Sequence, residues 1–173
     1  MKAKTPKKPI LTQLKNEMII PRRRLPAGEN KLHPVLQKHL GYCLYKVALK
    51  FRTLIDGALA EEGIIAPQFG ILNILRESDG LNQISLGLQM GIDKATMVKL
   101  IDGLEKLSYV VRVSSETDRR EKFLKVTPRG LKFLEQILPR VKAVETEFLK
   151  PLDAEERRVL MDAIPKLMQT KCT

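Results

Sequence analysis

Between Asn82 and Val126 the sequence passes from helical to strand-like periodicity across a glycine break, and that order leaves few folds open. Asn82 is suited to cap a helix in which Ile84, Leu86, Leu88 and Met90 precede Gly91, a residue fit for a tight turn. Asp93 then caps a second helix. Its Met97, Leu100, Ile101 and Leu104 recur at helical spacing, so one face of residues 94–107 is expected to pack inward. Two runs rich in strand-forming residues follow, Tyr109–Val113 and Lys122–Val126, joined by the polar stretch Ser114–Glu121. The pattern predicts a helix-turn-helix followed by a basic β-hairpin.

Helical spacing turns Ala95, Lys99, Asp102 and Lys106 of the second helix outward, with Lys94, Thr96 and Val98 flanking them near its N-terminal end. Small, neutral or cationic groups dominate that first half. Such a surface suits the major groove of duplex DNA, where phosphates repel carboxylates and bulky side chains hold a helix away from base edges. Lys94 is expected to meet phosphate. Ala95, Thr96, Val98 and Lys99 are expected to approach bases, the methyl groups favouring thymine. The hairpin tip carries Arg119 and Arg120, and an arginine there suits a narrow, electronegative minor groove, with Asp118 able to fix its direction through a charged hydrogen bond. Arg112, at the base of the hairpin, is expected to pair with Asp118 or with a phosphate.

The rest of the chain reads as helices. His33 and Pro34 open a long one in which Leu36, Leu40, Leu44, Val47, Phe51, Leu54 and Ala58 recur at three and four, and Gly63 ends it. Ile55 and Leu59 widen the apolar stripe, so this helix needs a partner beyond its own domain body, read here as a second subunit. Pro67 starts a helix with Phe69, Leu72, Ile74 and Leu75 on its core side, closed by Asp79 and Gly80. Thr127 and Pro128 open another, bearing Leu131, Leu134, Leu138, Val141, Val144 and Phe148, with a kink expected just before Pro139. Asp153 and Glu156 form a capping-box start for a last helix, which carries Leu160, Ile164 and Leu167 and is bent by Pro165.

A chain of 173 residues supports one domain with a substantial core. Aromatic residues make up only 5% with no Trp, which favours a helical protein built on Leu, Ile and Val over a β-sandwich or an aromatic-lined RNA binder. The net charge of +11 calls for a polyanionic partner, nucleic acid or an anionic membrane surface. No run of about 20 apolar residues is present to span a bilayer, and the basic N-terminus lacks the apolar centre of a signal peptide, so a cytoplasmic protein without membrane association is expected. Residues 1–33 hold nine Lys and Arg against Glu17 and Glu29 and are interrupted by four prolines. They read as a solvated tail or as an arm that follows DNA phosphates. Cys43 and Cys172 lie far apart without metal-type spacing and are expected to be reduced. No metal site or cofactor is expected: His33 and His39 do not share a helix face, and no Cys or carboxylate completes a ligand set. No glycine-rich phosphate loop, nucleophile elbow or metalloprotease helix occurs, which argues against an enzyme.

In the stretches Gln68–Leu72, Gly91–Lys99, Asp118–Arg120 and Leu124–Gly130, taken in this order with one long helix before and two after, the chain resembles the MarR (multiple antibiotic resistance regulator) winged-helix proteins from about Pro34 to Met168. The resemblance implies a dimeric, sequence-specific DNA-binding regulator, usually a repressor, often released by a small phenolic or lipophilic ligand or by oxidation. It also implies that the first and last two helices build the dimer interface, that Arg120 is the better minor-groove candidate, and that aromatic acids bind between the first helix and the DNA-binding body. Tyr42, Tyr45, His33 and His39 are the residues here that answer to such a pocket. Lys99 departs from the arginine of many relatives and replaces a planar fork with a point charge. One branch of the family senses peroxides through a cysteine of the first helix. That position holds Gly41, and Cys43 lies two residues on, about 200° around the helix.

The reading is a mainly α protein with a basic arm over 1–33 and a single domain over 34–173: a winged helix-turn-helix at about 64–127 and dimerisation helices at about 34–62 and 128–170. The expected function is that of a homodimeric repressor on double-stranded inverted-repeat DNA, released by a small effector. The alternatives are a thiol-based oxidant sensor acting through Cys43 and a nonspecific architectural DNA binder acting through the arm.

Overall fold

The computed structural model describes residues 33–78, 80–114 and 122–169. The basic arm, the hairpin tip with Asp118, Arg119 and Arg120, and Cys172 lie outside the described residues. Among the described residues, eight helical segments surround one small sheet: α1 (Pro34–Gln37), α2 (Leu40–Leu59), a 3₁₀ turn (Ala60–Glu62), α3 (Ala66–Arg76), β1 (Leu81–Asn82), α4 (Gln83–Met90), α5 (Lys94–Lys106), β2 (Val110–Ser114), β3 (Lys122–Val126), α6 (Pro128–Phe148) and α7 (Ala154–Met168).

Most element ends rest on the local chemistry expected of them. Asn82 Oδ1 accepts from Ser85 N at 2.8 Å at the start of α4, and Thr127 Oγ1 accepts from Gly130 N at 3.0 Å at the start of α6. At the head of α7, Glu156 N donates to Asp153 Oδ1 at 2.8 Å and Asp153 N donates to Glu156 Oε2 at 2.9 Å, a complete capping box. Gly63 and Gly91 end their helices in the left-handed region, at φ 74° and 62°. The start of α3 depends on a more distant group: Asp56 Oδ1 of α2 accepts from Ala66 N at 2.9 Å. Pro139 and Pro165 both sit inside helices that continue past them.

Two expectations are corrected. The first helix is not continuous, because His39 is extended at φ −101°, ψ 99° and separates α1 from α2. The Cys43 thiol donates across the break to Gln37 O at 3.4 Å and Leu36 O at 3.6 Å, the Leu36 carbonyl also accepting from His39 N at 3.2 Å. The hairpin also gains a third strand. β1 pairs antiparallel with β3, Leu81 opposite Leu124 and Asn82 opposite Phe123, so the order is β1-β3-β2. Between β2 and β3 the register runs from Val110 opposite Val126 to Ser114 opposite Lys122.

The core lies where α3, α4, α5 and the sheet meet the C-terminal end of α2 and the first half of α6. Leu59, Ile64, Ile71, Leu72, Leu86, Met97, Ile101, Leu104, Leu124 and Leu134 are fully buried there, and each such side chain contributes about 2 kcal/mol on burial. Gly130 lets α6 press against the sheet, since a Cβ at this position would run into the Tyr109 carbonyl oxygen and Val126 Cγ1. Among the described residues, α2 and α7 each keep an exposed apolar face. On α2, Leu40, Leu44, Val47 and Leu54 stay exposed, and the apolar stripe sinks into the core only at Ile55, Ala58 and Leu59. α7 buries none of its residues and leaves Leu160, Ile164, Leu167 and Met168 open.

Candidate nucleic-acid interface

The second helix of the helix-turn-helix, α5, is anchored from behind. Met97, Leu100, Ile101 and Leu104 are buried, with Met97 at 1% exposure and Ile101 and Leu104 at zero. Gln68, the one buried polar residue among those described, reaches it from α3: Nε2 donates to Leu100 O at 3.1 Å while Oε1 accepts from Ile65 N at 3.2 Å. This clamp needs Gly103, because a Cβ there would lie 2.6 Å from Gln68 Nε2. With one face held, Lys94, Ala95 and Lys99 are exposed and Thr96 and Val98 are half-buried at the N-terminal end, on the side facing away from the core.

Asp93 caps α5 twice over through one residue. Its Oδ1 accepts from Thr96 N at 3.0 Å and its Oδ2 from the Thr96 hydroxyl at 2.6 Å. The hydroxyl bond first, then the backbone bond from the same residue, holds the Asp93 carboxyl below its ordinary range. The Thr96 side chain is thereby fixed before any ligand arrives, with its hydroxyl proton spoken for.

Behind the wing, Tyr109 stacks on Phe133 with ring centroids 4.5 Å apart and carries the Arg129 guanidinium 5.8 Å from its own centroid. Burial pushes the Tyr109 hydroxyl up, Glu62 adds to the rise and Arg129 opposes it. Thr127 ties the end of β3 to the residues before β2, its hydroxyl donating to Ser108 O at 2.7 Å and its N–H to Tyr109 O at 3.0 Å.

Arg112 has partners that the sequence did not suggest, while Asp118, the one expected for it, lies outside the described residues. Its guanidinium turns back from β2 onto the recognition side of the domain, pairing with Glu105 Oε2 and with Asp102 Oδ1 at 2.8 Å, and reaching Gln83 Oε1 at 3.3 Å. Asp102 and Glu105 stand three apart on α5, a spacing that marks a shared face in the sequence. Their common partner on a strand could not be read from that spacing.

Of the four residues expected to line a ligand pocket, Tyr42 and Tyr45 lie in ring contact on α2, while the two histidines sit at the ends of the short helix before it. His33 Nδ1 accepts from Val35 N at 3.3 Å at the start of α1, and His39 sits at the break before α2. The rings of Tyr42 and Tyr45 are 6.4 Å apart on the outside of α2, with 37% and 60% of their surface exposed. A groove of about 430 Å³ lies between α3 and α6, its apolar wall made by Phe69, Leu138, Pro139 and Val141 and its polar rim by Asn73, Lys142, Glu135 and Glu145. Among the described residues no cluster of His, Cys, Asp and Glu has the make-up of a metal site. No described helix is long and apolar enough to cross a membrane.

Residues 64–122 match the sequence model of the MarR family. The transcriptional regulator HosA of Escherichia coli is 30% identical over 104 residues, an alignment covering 60% of this chain and 77% of HosA. Among solved structures, a mutant MarR from E. coli complexed with operator DNA superposes with a TM-score of 0.68 at 26% identity, covering 74% of this chain and 92% of that one. The PcaV transcriptional regulator from Streptomyces coelicolor, in complex with its natural ligand, superposes at 0.69 with 27% identity over 78% of this chain and 95% of that one.

Proposed function

This chain belongs to the MarR family of transcriptional regulators, and from that premise we propose that it is a homodimeric repressor binding an inverted-repeat operator. The observation that carries the proposal is the uncovered N-terminal face of α5, with Lys94, Ala95, Thr96, Val98 and Lys99 presented on a helix whose opposite face is buried. In this reading Lys94 contacts phosphate and the other four approach base edges, while Arg119 and Arg120 enter the neighbouring minor groove, steered by Asp118. A second subunit supports both reading heads. The exposed apolar surfaces of α2 and α7 are the faces that such a subunit would cover.

An effector, in the same reading, acts through the α3–α6 groove rather than through Tyr42 and Tyr45. Apolar Phe69, Leu138, Pro139 and Val141 lie beside two carboxylates, Glu135 and Glu145, and one lysine, Lys142, a lining that suits an uncharged or cationic amphipathic molecule better than an anion. α3 also carries Gln68, so a ligand that shifts α3 moves α5 through the hydrogen bond to Leu100 O.

The test is selection of genome fragments by the full chain, then titration of the best fragment against random duplex at one near-physiological salt concentration. An inverted repeat preferred by about 10³ or more supports the repressor reading. A ratio near one means that general charge, with the +11 chain and its basic arm, dominates binding.

A further inference from the structure

We propose that Arg112 is a positioning residue that latches the wing to the recognition helix, not a phosphate ligand, and that operator specificity depends on the latch. This rests on the DNA-binding reading above and adds a division of labour to it. Three elements meet at one guanidinium: Gln83 from the first turn of α4, Asp102 and Glu105 from the C-terminal half of α5, and Arg112 itself from the middle of β2. Both terminal nitrogens are engaged, and the Arg112 side chain is only 24% exposed. A planar fork binding two carboxylates from one helix allows a narrow range of strand-to-helix angles, which a single point charge would not impose. β2 is an edge strand, bonded to β3 on one side, and its buried start at Tyr109 and Val110 is fixed by the core, so among the described residues the Arg112 cluster is the side-chain tie from the middle of the strand to α5. The cluster carries two negative charges against one positive. A group there whose purpose was to attract phosphate would be poorly served by two carboxylates, one on each terminal nitrogen.

The isosteric double variant Asp102→Asn with Glu105→Gln separates the two roles, because electrostatics alone and positioning predict opposite signs. Removing two carboxylates beside DNA makes all duplex bind more tightly if charge is all that matters. If the latch positions the wing, affinity for the selected operator falls by about 10-fold while random duplex binds as well as before or better, so the specificity ratio drops. Arg112→Ala gives the same loss of ratio with no fall in the salt slope, whereas a lost phosphate contact weakens all sequences equally and lowers that slope by about one. Arg112→Lys recovers little, having lost the fork.

Hydrogen exchange on the free full-length variants reads the latch without DNA. Faster exchange over residues 110–114 than in the parent, with α6 unchanged, is expected. Unchanged exchange in the double variant overturns the latch whatever DNA does. Faster exchange with an undiminished specificity ratio overturns its role in reading. A parent protein that shows no preference for any fragment removes the DNA-binding reading itself, and the specificity claim with it, while the exchange result still decides whether the latch exists.

Discussion

Single residues divide here into those whose partners are neighbours in sequence and those whose partners are not. Asp93 is of the first kind, and its consequences follow pH. The Thr96 bonds depress its pKa in the folded chain, so the stability that it contributes is present above the ordinary aspartate range near pH 4 and is lost as acid carries the solution through the lowered value. Asn is as good a cap and does not titrate. Urea unfolding should therefore show Asp93→Asn holding a constant difference from the parent at neutral pH and gaining on it only below about pH 4. A gap that changes between pH 6 and 8 would contradict this assignment.

Gln68 and Gly103 are of the second kind, separated by 35 positions in the chain and meeting at 2.6 Å for any added Cβ. Gly103→Ala alone should cost about 2 kcal/mol by crowding a buried, hydrogen-bonded amide. In a Gln68→Ala background the same change should cost much less, because the added methyl enters vacated space. A double-mutant cycle that proves additive would mean that the two side chains do not interact. Cys43 belongs with them. Its thiol serves the broken end of α1, and Cys43→Ser is expected to retain operator affinity and its response to peroxide, whatever that response is. A variant that alone becomes deaf to oxidant would restore the redox reading.

The secondary-structure elements were legible to the extent that their ends were. Asn82, Asp93, Thr127, the Asp153 and Glu156 pair, Gly63 and Gly91 mark boundaries through groups within three residues, so local sequence suffices for them. The break at His39 escaped because the spacing of Leu36, Leu40 and Leu44 reports which face is apolar and is silent about one residue's ψ. β1 escaped because two residues have no period, and only pairing with β3 makes them a strand. The placement of α7 likewise depends on something outside its pattern. Arg157 Nε donates to Leu149 O at 3.1 Å and Leu152 O at 2.9 Å, fixing the turn that aims a helix with no buried residue of its own. Arg157→Ala should leave the melting temperature of the winged-helix body within a few degrees of the parent while weakening self-association by about 10-fold, a difference that sedimentation equilibrium over a range of concentrations would detect. Equal association constants would mean that the turn holds without it.

Across the described residues, the winged-helix body is well packed while α2 and α7 keep apolar side chains exposed. Leu160→Glu with Ile164→Glu puts two charges on the apolar face of α7, which is already exposed in one chain, and in the dimeric reading it should yield a folded monomer that binds an inverted repeat at least 10-fold more weakly. Light scattering with a DNA titration checks both halves, and a variant that remains a dimer places the interface elsewhere.

From the sequence alone came the order of the longer helices and the two hairpin strands, most helix caps, the inward face of α5 and the identity of the side chains on its outward face. Those follow from periodicity and from hydrogen bonds between near neighbours. Only the tertiary structure decided that Arg112 faces Asp102 and Glu105, that Gln68 holds Leu100, and that a groove opens between α3 and α6. Each of these joins groups far apart along the chain, and which distant groups meet is set by how faces pack, a property that no local spacing carries.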